Sequence, residues 1–237
     1  MGRAFEYRKE RKFKRWANMA KTFTKIGREI AIAVKDGGPD PEYNSRLRMA
    51  IQNAKTANMP KANVESAIKK ATSKEAESFD EVVYEGYAPH GVAVIVETAT
   101  NNLNRTVANI RFIFNKYGGA LSTSGSVDYM FDRLGVFKVK SAGLNLEDLE
   151  LELIDHGLEE VKEEDEHYVF YTKFADFGSL QKALEERGIE VESAEFVRIP
   201  SHYKTLTDEQ VEEVITLIEK MEEDEDVVNV FHNMDMN

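Results

Sequence analysis

In KTFTKIGREIAIAVK (21–35), apolar residues recur at the spacing of one helical face. At 100° per residue with Lys21 at zero, Phe23, Ile26, Ile30, Ala33 and Val34 fall between about 120° and 220°, and Lys21, Lys25, Arg28 and Lys35 within about 40° of zero. One face is predicted to be core and the other cationic, with Ile32 the exception among the lysines. Gly37, Gly38 and Pro39 end this helix, and Asp40-Pro41 is a plausible start for the next. Leu47, Ile51 and Ala54 predict that second helix, and Val64, Ala67, Ile68 and Ala71 a third after Asn58-Met59-Pro60.

Beyond the polar stretch TSKEAES (72–78) the period changes. VVYEGY (82–87) and GVAVIVETA (91–99) read as strands, the second buried on both faces, and SVDYMF (126–131) reads as another. Between them, NRTVANIRFIFNKYGG (104–119) is helical, with Val107, Ile110, Ile113, Phe114 and Tyr117 on one side and a glycine stop. From Gly135 to Ile199 the pattern runs βαββαβ, the order of a ferredoxin-like unit. One helix and one strand remain after it, without partners of their own. They would complete the central sheet if residues 134–199 were an insertion. The expected fold is α+β: an N-terminal three-helix bundle plus two α/β (ferredoxin-like) domains, one inserted into the other. The expected boundaries are 1–78 for a basic helical domain with an N-terminal arm, 79–133 with 200–237 for the central domain, and 134–199 for the acidic insertion.

Charge sharpens this picture. The chain has 237 residues and a formal net charge of -12, yet residues 1–74 hold 18 Lys and Arg against 7 Asp and Glu, and the remainder 13 against 36. Such asymmetry points to a polyanionic partner for the basic part. The bland alternative is that the basic head docks on the protein's own acidic body. No apolar run reaches the length of a membrane helix, and the Arg-rich start carries Glu6 and Glu10, unlike a transit peptide. Cysteine is absent, which excludes disulfides and thiolate metal sites and fits a reducing cytoplasm.

No catalytic constellation emerges. His90, His156, His167, His202 and His232 are scattered without metal-ligand spacing, the glycines form no phosphate loop, and the acidic runs 159–166 and 222–226 lack the pattern of a calcium loop. Neither an enzyme nor a cofactor is expected. What recurs is equipment for gripping nucleic acid. Arg8, Lys9, Arg11, Lys12, Lys14 and Arg15 can neutralise phosphates, and Trp16 and Phe13 interleave with them where a base could stack. Lys21, Lys25 and Arg28 continue that surface. A second candidate is TNNLNRT (100–106): Asn104 reads as an N-cap and Arg105 adds charge beside a helix N-terminus suited to an anion. Arg105, Asn109, Phe112 and Lys116 share the face opposite the core, where Phe112 could stack on a base or cover an inter-domain contact.

The stretches TFTKIGREI (22–30), RLRMAI (46–51), ANMPKANVESAIKKA (57–71), YEGYAPHGVAVIVE (84–97), NLNRTVANIRFIFNKYGG (102–119) and GSVDYMF (125–131) resemble the YebC/PmpR family. The resemblance implies a three-domain, non-enzymatic, cytoplasmic regulator of gene expression, described for the family as a DNA-binding transcriptional regulator. The family is also similar to a mitochondrial translational activator and has been linked to ribosomes. The start GRAFEYRKERKFKRWANM keeps only a KRWANM echo (14–19) of the usual segment, and Asn101, Ala88 and Ser122 depart from the common pattern. Three functions therefore compete: a DNA-binding regulator, a translation factor on the ribosome and ribosomal RNA, and a protein-interaction module. Against the first, the junction ANMPKAN (57–63) lacks the glycine usual in a helix-turn-helix. The acidic domains could take a protein partner.

Overall fold

A computed structural model describes residues 19–74 and 76–236. The chain divides into two compact units, Met1–Arg28 with Glu77–Asp132 and Ile199–Asn237, and Glu29–Ala76 with Arg133–Arg198. The second unit thus takes in residues 29–76 of the helical segment together with the βαββαβ segment. None of the described helices is long and apolar enough to cross a membrane.

The first unit holds a four-stranded sheet in the order β3-β1-β2-β8, built from β1 (Asp80–Ala88), β2 (Val92–Thr100), β3 (Ala120–Leu121) and β8 (Val227–His232). β2 pairs antiparallel with both β1 and β8. Its two faces are buried as their apolar character requires. Val92, Val94 and Val96 pack with Ile110 and Phe114 of α4 (Leu103–Lys116) and with Val214, Leu217 and Ile218 of α7 (Asp208–Glu223). Ala93 and Ile95 face the other way, onto Val127 and Phe131. This half opens with the β1–β2 hairpin, so the ferredoxin-like order expected for both domains holds only for the second sheet. The close approach of α4 to β1 and β3 requires Gly86: a Cβ there would lie 2.5 Å from the Ala120 carbonyl oxygen and 2.8 Å from Phe114.

Residues 126–131, read as a strand, instead form a turn, and β4 starts only at Phe131 (Phe131–Lys140). The cause is Glu85. Its buried carboxylate accepts hydrogen bonds from the backbone N–H groups of Gly125 (2.6 Å), Val127 (2.7 Å) and Asp128 (2.9 Å), which withdraws them from any ladder.

The second unit contains β4, α5 (Leu146–Leu153), β5 (Leu158–Glu164), β6 (His167–Lys173), α6 (Phe177–Glu186) and β7 (Val191–Pro200), with sheet order β5-β6-β4-β7. That is the strand arrangement of a βαββαβ unit. Phe137 and Phe177 stack at 4.4 Å in its core, which Met49 of α2 (Ser45–Thr56) also enters. β7 lies at the sheet edge, and polar side chains of α2 satisfy its backbone. Gln52 donates to the Val191 carbonyl, Thr56 to that of Glu192, and Asn53 Oδ1 accepts from Ala194 N–H at 3.3 Å. An exposed strand edge invites wrong pairing, and α2 covers this one. These contacts are the physical reason the helices group with the βαββαβ segment.

α1 (Met19–Gly37) is buried through Ile26, Ile30, Ala33 and Val34 as its pattern predicts, while Phe23 is only partly buried. Ile32, the apparent exception, is buried too, so the carboxy-terminal half is enclosed on more than one face. The second helix begins later than Asp40-Pro41 suggested. Buried Asn44 is its N-cap, accepting from Leu47 N–H at 2.9 Å while donating to the Ala33 and Gly38 carbonyls.

Candidate nucleic-acid interface

Arg8, Lys9, Arg11, Lys12, Lys14, Arg15 and Trp16 lie outside the described residues. The remaining predicted cations can be placed, and several converge on one acidic loop. α1 and α4 both send side chains to the segment between α7 and β8, residues 224–226. Asp226 is the centre of the cluster, its side chain 3% exposed. Arg28 Nη1 donates to Asp226 Oδ1 at 3.1 Å, to the Ala99 carbonyl at 3.2 Å and to the Glu225 carbonyl. Arg105 Nη2 donates to Asp226 Oδ2 at 2.7 Å, and the hydroxyls of Thr100 and Thr106 reach the same oxygen at 3.1 and 2.8 Å. Arg28 also lies 5.4 Å from the Phe79 ring centroid.

The electrostatics follow from this geometry. Burial pushes the Asp226 carboxyl up, but the hydrogen bonds from Arg105, Thr106 and Thr100, with the Arg105 charge, outweigh it and hold the group below its ordinary value of 3.8. Arg105 is raised in return, first by its hydrogen bond to Asp226 and then by that carboxylate's charge. α4 begins beside this carboxylate, where its unpaired N–H groups and dipole favour a negative charge. Within the 100–106 turn, Asp226 therefore takes the side chains of Thr100, Arg105 and Thr106, while the Arg105 side chain stays about half exposed.

Three expectations change accordingly. Arg28 and Arg105, read as phosphate ligands, are partners of Asp226. The N-cap of α4 is Asn102, whose side chain accepts from Arg105 N–H at 3.1 Å, and Asn104 sits one residue inside the helix. Both asparagines suit a cap, but Thr100 decides between them by accepting from Asn102 N–H at 2.9 Å and fixing the turn one step earlier. Lys21 remains exposed with its ammonium 3.5 Å from the Glu223 carbonyl, and Lys25 is partly buried with an interaction of its own. The Arg28–Asp226 and Arg48–Glu185 pairs, at 3.1 and 3.0 Å, show two cations of the basic segment paired with carboxylates of the acidic one.

Sequence reasoning also missed a presented helix. α2 and α3 (Lys61–Ala71) are joined by the short turn 57–60, and the glycine whose absence argued against such a turn is replaced by Asn58, at φ 56°. Asparagine tolerates that left-handed conformation better than most residues, and Met59 N–H closes the helix end on the Ala54 carbonyl at 2.8 Å. Only Val64 of α3 is buried; Lys61, Ala62, Asn63, Glu65, Ser66, Lys69 and Lys70 are exposed, with Lys61 paired to Glu65 at 3.7 Å.

The chain matches two family descriptions: "TACO1/YebC protein N-terminal domain" over residues 3–74 and "TACO1/YebC second and third domain" over residues 79–234. A protein of Parabacteroides distasonis named "Probable transcriptional regulatory protein" is 60% identical over 99% of this chain and 97% of its own length. A Flavobacterium psychrophilum protein of similar name is 58% identical over 99% of both chains. Among solved structures, a conserved hypothetical protein from Aquifex aeolicus is similar with a TM-score of 0.78 at 41% identity, covering 91% of this chain and 90% of its own.

Proposed function

Since the chain belongs to the TACO1/YebC family, we propose that it is a non-enzymatic, cytoplasmic DNA-binding transcriptional regulator that grips the phosphate backbone through its basic amino-terminal region. The observation that carries this reading is the charge separation: 18 basic against 7 acidic residues up to position 74, in a protein of net charge -12. Lys and Arg clustered in this way release counterions from a polyanion, whereas the acidic remainder repels it and orients the complex. Arg28 and Arg105 are bonded to Asp226, and the proposed grip is Arg8 to Arg15 with Lys21 and Lys25, the last keeping its own interaction within the protein. The exposed face of α3 supports the DNA reading, because base readout needs a helix free to enter a groove. The names of the relatives point the same way.

A second reading, a translation factor acting on ribosomal RNA, is favoured by a single observation: Phe112 is 61% exposed on a helix without acidic residues, which suits an unpaired base. The experiment for the proposed function is a salt titration of binding to a labelled mixed-sequence duplex, by fluorescence anisotropy. The full chain should lose affinity steeply as salt rises. Replacing Lys12, Arg15, Lys21 and Lys25 with glutamate should weaken binding by about ten- to a hundredfold and flatten the salt slope. Unchanged affinity in that variant would sink the proposal.

A further inference from the structure

α4 differs in charge from the acidic sequence around it. After position 74 the chain holds 36 acidic and 13 basic residues, yet α4 contains Arg105, Arg111 and Lys116, three asparagines and no acid at all. Thr106, Ile110 and Phe114 bury one side. On the opposite side Asn104, Ala108, Arg111, Phe112 and Asn115 are all exposed and fall within about 100° of arc.

Two features give this face a chemistry. Phe112, 61% exposed, carries the Lys116 ammonium over one face of its ring at 5.5 Å, and that ammonium is at the same distance from the Tyr117 ring, so the opposite face of Phe112 is the one a base could stack on. Arg111 is exposed, and among the described residues no carboxylate pairs with it. The acidic loop engages only the flank of the helix, through Arg105 with Asp226 and through Asn109, which donates to Asp224 at 3.0 Å. An exposed phenyl ring with a cation over one face, a second cation nearby and primary amides around it is well matched to a base stacked on its other face with flanking phosphates.

We propose that the exposed face of α4, centred on Phe112, is a second nucleic-acid contact that stacks an unpaired base of a single strand on the ring while Arg111 and Lys116 hold the adjoining phosphates. This rests on the reading that the protein binds nucleic acid, and it adds residues of α4 to those proposed for the amino-terminal grip. A single strand is the committed occupant because stacking on Phe112 needs an exposed base face, which a duplex does not offer.

The test uses the full chain with two labelled probes, a mixed-sequence single-stranded RNA of about 20 nucleotides and a duplex DNA of the same length, within the range of single-strand sites built from a few binding modules. The Phe112→Ala/Arg111→Ala variant should bind the single strand about tenfold more weakly, with Phe112→Trp restoring the stack, and should bind the duplex within about twofold of wild type. Ultraviolet crosslinking of the single strand should map to the peptide containing Phe112. Both altered side chains are exposed, so an unchanged circular dichroism melt verifies the fold. If wild type binds the single strand and the double variant binds it equally well, the α4 proposal alone is overturned. Equal weakening on both probes would also overturn it, because stacking would not be the interaction lost. Failure of the wild-type chain to bind either probe would overturn this proposal together with the functional reading beneath it.

Discussion

Replacing Asp226 with alanine is expected to destabilise the protein by about 4 kcal/mol in urea or thermal unfolding, because it leaves the Arg28 guanidinium without its carboxylate beside a buried hole, while the Thr100 and Thr106 hydroxyls keep their bond to each other. Arg28 is only 15% exposed and cannot recover its lost partner from water. Arg105, on the open side, can be rehydrated and should matter less. The effect is also pH-dependent, in a direction fixed by the structure. The folded-state carboxyl titrates below its ordinary value of 3.8, so its stabilisation is complete above about that pH and is lost as the pH falls through the folded-state value. Wild type and Asp226→Asn should therefore differ most near neutrality and converge in acid. A constant difference across that range would show that Asp226 contributes shape and not charge.

Glu85→Ala should cost about 3 kcal/mol, the second largest effect expected, because three charge-assisted hydrogen bonds to backbone N–H groups are lost together. The turn over residues 125–128 would then have no anchor, and Val127, which is fully buried with Ala93 and Ile95, would lose its seat in the core. Glu85→Gln should recover less than half of the loss, since its amide group presents donors where three donors already converge. Hydrogen exchange at Val127 and Asp128 reads the local effect directly, and retained protection in the alanine variant would contradict this account of the turn.

These two carboxylates show where sequence reasoning stops. A strictly periodic segment is legible because its environment is written within it: the face of α1 through Ile26, Ile30 and Val34 and the two-sided burial of β2 follow from spacing alone. Residues 126–131 alternate in the manner of a strand, and what makes them a turn is a glutamate 40 residues earlier in the chain. The Asn104-Arg105 turn shows the same limit: its chemistry is legible, but the pairing of Arg105 with Asp226, 121 residues further along, is not. Nor can a pattern of leucines and alanines in the second helix reveal that Gln52, Asn53 and Thr56 hydrogen-bond the edge of β7, which ties the helices to the βαββαβ segment. The apolar side of each helix is local information, whereas the partner of each charge is not. The charge asymmetry along the chain survives this correction in reduced form: the structure assigns two of the predicted cations to the protein itself, and the exposed basic positions of α3 and α4 come into view in their place.

The most direct test of the central claim is ultraviolet crosslinking of the tagged full-length protein in living cells, followed by sequencing of the nucleic acid recovered with it. A DNA-binding regulator should return promoter DNA enriched at discrete sites, with that enrichment lost when Lys12, Arg15, Lys21 and Lys25 are reversed to glutamate. Recovery confined to discrete ribosomal RNA positions would contradict the transcriptional reading in favour of translation, and recovery at background for both DNA and RNA would contradict nucleic-acid binding altogether.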